Sequence, residues 1–178
     1  MLDRHAETRP SIYYFQPTLG GRVAGWARHL DRCREMGFTH VLMAPPFRPG
    51  RDGDIFAVAD YDSLHPDLDS RSAALPTLGG VAEQCRARGL SLWLDLVLDG
   101  FAPENSLLEE KPHWFNAARG ESLPDPRAGT AAHPSARLAF GSDAEAEILG
   151  WWQAKITELA EAGVDGFRLA RLQGVPPD

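Results

Sequence analysis

Residues 163–171 read Gly163-Val164-Asp165-Gly166-Phe167-Arg168-Leu169-Ala170-Arg171. A glycine able to end a helix is followed at once by an apolar residue, then by a short run that carries charge toward its far end. The stretch predicts a short buried strand that delivers side chains to a rim. The same joint occurs twice earlier, at Gly37-Phe38 and Gly89-Leu90. Upstream of each joint, apolar residues recur at helical spacing: Trp26, Leu30 and Cys33, then Val81 and Cys85, then Ile148, Trp152, Ile156 and Leu159. Downstream, residues 38–44 and 90–97 are strand-like, and the aromatic run Ser11-Ile12-Tyr13-Tyr14-Phe15 supplies a strand ahead of the first helix.

The predicted order is therefore β-α-β-α-β-α-β. Strands alternating with helices imply an α/β fold with a parallel sheet. The helix-to-strand joints are tight, whereas the strand-to-helix connections are long: about residues 47–76 and 99–141. Long loops thus gather at the carboxyl ends of the strands, the functional face of an α/β barrel and of an open α/β sheet. Tyr13, Val41, Leu94 and Phe167 are expected to point into the barrel. Ser142 and Glu145 stand at capping-box spacing before the last helix, and His113-Trp114-Phe115 is expected to anchor the second long loop. Residues 1–10 read as an arm and 11–178 as one domain.

The bulk properties exclude several classes. The 178 residues are enough for a real core, and a net charge of -7 argues against nucleic acid and anionic membrane surfaces. No apolar run approaches the ~18 residues of a membrane span. Met1-Leu2-Asp3-Arg4-His5-Ala6-Glu7 has no apolar signal region, so a cytoplasmic chain is expected. Cys33 and Cys85 have no metal-ligand spacing and read as reduced core thiols. Neither Leu19-Gly20-Gly21 nor Leu78-Gly79-Gly80 completes a phosphate-binding loop. No cofactor and no metal are expected; Asp52 and Asp54, flanking Gly53, read as a turn rather than a calcium loop.

Three segments carry a family resemblance: Asp60-Tyr61 through His65-Pro66-Asp67-Leu68, Leu94-Asp95-Leu96-Val97, and Gly163-Val164-Asp165-Gly166-Phe167-Arg168. In order and spacing they resemble the loop after the second strand and the first two signatures of the α-amylase superfamily, glycoside hydrolase family 13. Ala44-Pro45-Pro46-Phe47, Lys111-Pro112-His113-Trp114-Phe115 and Val175-Pro176 most resemble its α-1,4-glucan:maltose-1-phosphate maltosyltransferases. The resemblance implies the N-terminal half of a TIM (β/α)8 barrel and a role in α-glucan metabolism.

It also implies a damaged site. Retaining glycoside chemistry uses a carboxylate nucleophile and a second carboxylic acid about 5–5.5 Å away. The family nucleophile falls two residues after the signature Arg, matched here by Arg168, and that position is Ala170. The family Asp is retained as Asp95, the Asn position is Asp99, and the His position is Gly100. The acid/base Glu and a further Asp come from later strands. Substrate-binding candidates are Asp95, Arg168, Phe56, Tyr61 and His65. Asp95 and Arg168 form either a structural ion pair or a retained sugar contact. Phe56 either stacks on sugar or packs its loop, and His65 either contacts sugar or closes a turn. An open half-barrel leaves strand edges unpaired, so a continuation of the same polypeptide, a second copy of the chain, or the long loops would cover it. The expected function is an α-glucan module without catalysis. The alternatives are part of an active retaining glycosidase or maltosyltransferase, and an assembly module that binds no sugar.

Overall fold

Gly37, Gly89 and Gly163 have φ of 82°, 67° and 107°. Side chains resist these values, and each glycine turns a helix end into the next strand, as the joints predict. The computed structural model describes residues 9–69, 73–116, 135–172 and 175. Most of the predicted arm and residues 117–134 of the second long loop lie outside the described residues, as does Pro176.

The elements follow in chain order. β1 (Ile12–Phe15) leads through the single turn α1 (Pro17–Gly20) to α2 (Ala27–Glu35) and β2 (His40–Met43). A short pair comes next, β3 (Phe47–Pro49) and β4 (Val58–Leu64), and then α3 (Ala74–Ala87) and β5 (Ser91–Val97). The one-turn α4 (Leu107–Glu110), α5 (Glu145–Glu161) and β6 (Gly166–Ala170) complete the described α-helices and strands. Strands β1, β2, β5 and β6 form a four-stranded sheet in that order, all neighbours parallel. A parallel neighbour needs a crossover, and α2, α3 and α5 supply one each.

Two local expectations are corrected. The region read as a loop from residue 47 to about 76 holds the antiparallel pair β3–β4, with register shifts on both sides of Arg48. The capping box does not form. The α5 N-cap is Ala144, without a side-chain cap; Ser142 Oγ accepts from the Ala144 N–H at 3.2 Å, and Glu145 reaches back to the Gly141 N–H at 2.9 Å. The anchor of the second loop does hold. Trp114 is buried and its indole donates to Glu147 on α5 at 3.1 Å.

The sheet side of the core shows a third correction. Phe15 meets Trp26 edge-on, with centroids 5.1 Å apart, beside α2. The register places Met43, Leu94 and Phe167 in the same row, and Tyr13, Val41 and Leu92 two residues lower. These rows face the helices, where Leu30, Cys33, Leu78, Val81, Cys85, Ile148, Trp152 and Leu159 complete the core. Tyr13, Val41, Leu94 and Phe167 therefore point away from the barrel interior. The interior face carries Tyr14, Leu42 and Trp93, then Asp95 with Arg168, and finally Val97 with Ala170. A one-residue change of parity moves every side chain to the other face. Trp93 lies across Gly166, where an added Cβ would meet its Nε1 at 2.8 Å, so the indole covers part of the interior face.

Both cysteines are buried. Burial, and then the neighbouring Cys33, pushes the Cys85 thiol up to about 12, and burial raises Cys33 as well. The thiolate is the reactive form. Folded chain at ~pH 8 is expected to react with a thiol reagent no faster than it unfolds. Rapid labelling of both cysteines in native buffer would contradict this burial.

Candidate functional site

Asp95 and Arg168 are register partners on adjacent parallel strands, so their side chains leave the sheet side by side. Arg168 binds the carboxylate in a fork, Nε to Oδ1 and Nη2 to Oδ2, each at 2.5 Å. A bidentate, charge-assisted pair of this kind fixes both groups in direction as well as distance. Asp95 is fully buried, whereas the Arg168 side chain is 53% exposed. Tyr14 completes the cluster. Its hydroxyl donates to Asp95 Oδ2 at 3.1 Å, and its ring lies 4.9 Å from Arg168 Cζ. Burial, followed by the charge of Asp95, raises the Tyr14 phenol, and the hydrogen bonds to Asp95 hold the Arg168 guanidinium above its usual range. Sequence reasoning missed Tyr14. The signal was its position on β1, two residues from Ile12, on the row that the register aligns with Leu42 and Trp93.

Ala170 ends β6 opposite Val97, and its carbonyl accepts the Leu98 N–H at 3.1 Å. A methyl group there can neither attack nor transfer a proton. Arg171 adopts φ of 60° and its Nη2 reaches Asp54 Oδ2 at 3.1 Å, tying the strand end to the first long loop. Asp54 Oδ1 also accepts from the Phe56 N–H at 2.9 Å, and Asp52 accepts from the Asp54 N–H at 3.0 Å. These carboxylates shape a turn. Among the described residues no group of three or more His, Cys, Asp and Glu side chains is placed to hold a metal ion.

Around Gly100 the loop leaves no space for a side chain. An added Cβ would sit 2.4 Å from the Phe56 carbonyl oxygen and 2.9 Å from Val97 Cγ1. The buried Asp99 turns away from the strand ends, accepting from the Leu138 N–H at 2.7 Å and from Arg137 Nη1 at 2.9 Å. Phe56 is half-buried and packs against the core.

The five substrate-binding candidates do not converge. Asp95 and Arg168 meet on the interior face. Tyr61 is buried, its hydroxyl donating to the Val97 carbonyl at 2.7 Å, and its ring is enclosed by Phe47, Phe101, Trp151 and Trp152. Burial raises its phenol well above the usual value. His65 accepts from the Asp67 N–H at Nδ1, 3.2 Å away, and lines a groove outside the sheet together with one edge of Tyr61.

The chain is similar to known proteins in sequence and in fold. Over 180 residues, 96% of the chain, it is 32% identical to the α-1,4-glucan:maltose-1-phosphate maltosyltransferase of Burkholderia pseudomallei. The chain belongs to the α-amylase family. A cyclomaltodextrinase of Geobacillus thermopakistaniensis is 22% identical over 172 residues, 84% of the chain. The chain spans 16% and 26% of the lengths of these two relatives. An α-amylase from Lactobacillus plantarum shares the fold, with a TM-score of 0.72 and 21% identity over 94% of this chain and 39% of that one. The four parallel strands are thus a partial barrel of the α-amylase family. No family model matches the chain. No described helix is long and apolar enough to cross a membrane.

Proposed function

We propose that this chain is an α-glucan-recognising segment of the α-amylase family that carries out no glycoside transfer by itself. The observation that carries the reading is the intact Asp95–Arg168 fork beside Ala170. In the family arrangement the arginine stands next to the nucleophile. Here it keeps its aspartate partner while the attacking group is absent. Covalent retention needs an oxygen nucleophile at the anomeric carbon. Arg171, the neighbour of Ala170, carries the wrong charge and is committed to Asp54. The half-exposed guanidinium and the Tyr14 hydroxyl remain able to meet sugar hydroxyls. The reduced, buried thiols fit a cytoplasmic setting.

A second reading is favoured by the share of its relatives that the chain spans, and by the sheet, in which, among the described residues, β1 pairs only with β2 and β6 only with β5. On that reading the chain is one part of an active glycosidase or maltosyltransferase, and its open edges pair with further strands of the same polypeptide or with a second copy. Purified chain incubated with maltose-1-phosphate or maltooligosaccharides tests the first reading. No turnover is expected, with maltooligosaccharide binding at millimolar concentration by calorimetry. Turnover that disappears in Arg168→Ala would overturn the first reading. Absence of any binding would leave a pure assembly role.

A further inference from the structure

A groove of about 840 Å³ lies between the β3–β4 pair, α4 and α5, and none of Tyr14, Asp95, Arg168 and Ala170 lines it. Its size is that of a small-molecule site. Trp151 lies in its wall, half-buried and held edge-on by Trp152 at 4.7 Å and by Tyr61 at 5.7 Å. The indole therefore offers a rigid apolar surface. Around it stand groups of both signs. Arg48 and Asp60 are register partners across the hairpin. Asp60 is held rigid by the Asp62 N–H at 2.8 Å and the Ser63 hydroxyl at 2.6 Å. Lys155, with a side chain only 15% exposed, donates to Asp62 at 2.9 Å and to Glu158 at 3.1 Å. An ammonium has three donors, so one remains. His65 accepts at Nδ1, which in the neutral ring leaves Nε2–H as a donor.

A charged ligand would meet its like sign on this wall. A neutral polyol would not. Its hydroxyls donate to carboxylates and accept from cations, and the C–H face of a pyranose is apolar enough to lie on an indole. We infer that the groove is a second saccharide site, with Trp151 as its platform and Arg48, Asp60, Asp62, His65 and Lys155 as its polar rim. The choice of an α-glucan as the sugar rests on the reading above; the site itself rests on the groove.

The test is a titration of the full chain with maltotriose, followed by the indole and backbone N–H signals in two-dimensional NMR. The Trp151 indole signal is expected to shift and saturate. Arg48→Ala, an exposed position, should weaken that titration about tenfold, the loss of one charge-assisted hydrogen bond, and Lys155→Met should do the same. Met36→Ala, exposed and outside the groove, should leave it unchanged. A Trp151 titration indifferent to both groove variants overturns the inference, as does a titration confined to signals around Arg168. Shifts at Trp151 with none around Arg168 uphold the groove and refute recognition at the Asp95–Arg168 cluster. Shifts at neither refute both.

Discussion

Replacing Arg168 with alanine is expected to destabilise the chain by about 2–3 kcal/mol, clearly more than replacing Asp95 with alanine, for which about 1 kcal/mol is expected. The two partners are not equivalent. Asp95 is fully buried and Arg168 is half exposed. Removing the arginine leaves a carboxylate in a dry site with one remaining side-chain donor, the Tyr14 hydroxyl, and an uncompensated buried charge is the costly outcome. Removing the aspartate leaves a guanidinium that can turn to water. Breaking a fully buried pair costs about 3–5 kcal/mol; solvent screening of the exposed partner sets the lower figure here. The double variant should cost less than the sum of the singles, with a coupling of about 1 kcal/mol or more. Urea unfolding midpoints measure all three. Equal losses for the two single variants would mean that Asp95 is solvated in the folded chain and that the fork is not its main support.

That asymmetry bears on what was legible in the sequence. The joints at Gly37, Gly89 and Gly163 mark a real change of backbone hand, so helix ends and strand starts could be read directly. The face of each strand could not be read from hydrophobicity. Leu92, Leu94, Leu96 and Val97 are all buried whichever way they point, and a strand covered on both faces carries no alternation to read. The parity marker was the charge. A carboxylate at 95 that serves the barrel interior forces Leu94 toward the helices, and Arg168 does the same for Phe167. Used that way, the two charged residues would have oriented both strands. The β3–β4 pair is not legible in the sequence because its first strand is three residues long and contains Pro49, and proline is disfavoured within a strand. The surroundings of Tyr61 are hidden in the sequence for a different reason. A motif fixes its place in the chain, but its surroundings come from Phe47, Phe101, Trp151 and Trp152, which are far apart in sequence.

Gly100→Ala is expected to cost about 3 kcal/mol, and Gly100→His to leave the chain unfolded at room temperature. Overpacking usually costs about 1–3 kcal/mol because neighbours shift. Here the nearest neighbour is the Phe56 carbonyl oxygen at 2.4 Å, a backbone atom that cannot rotate away. The backbone around it is pinned as well. Val58 N–H donates to the Gly100 carbonyl at 3.0 Å, Ala102 N–H to the Val58 carbonyl at 3.0 Å, and Phe101 exchanges bonds with Ala136 at 2.8 and 3.1 Å. Moving the glycine breaks that set together, and its groups are buried. By contrast, Ala170 is only partly buried and lies at a strand end, so Ala170→Asp should change stability by about 0.5 kcal/mol or less. Thermal unfolding of the three variants decides the matter. A Gly100→Ala midpoint equal to the parent would mean that the loop yields, and that side chains could be restored at positions 100 and 170 together. The expected difference means something stronger. The carboxylate could return in one step, but the side chain at position 100 could not, because the first long loop has closed onto the space it would occupy.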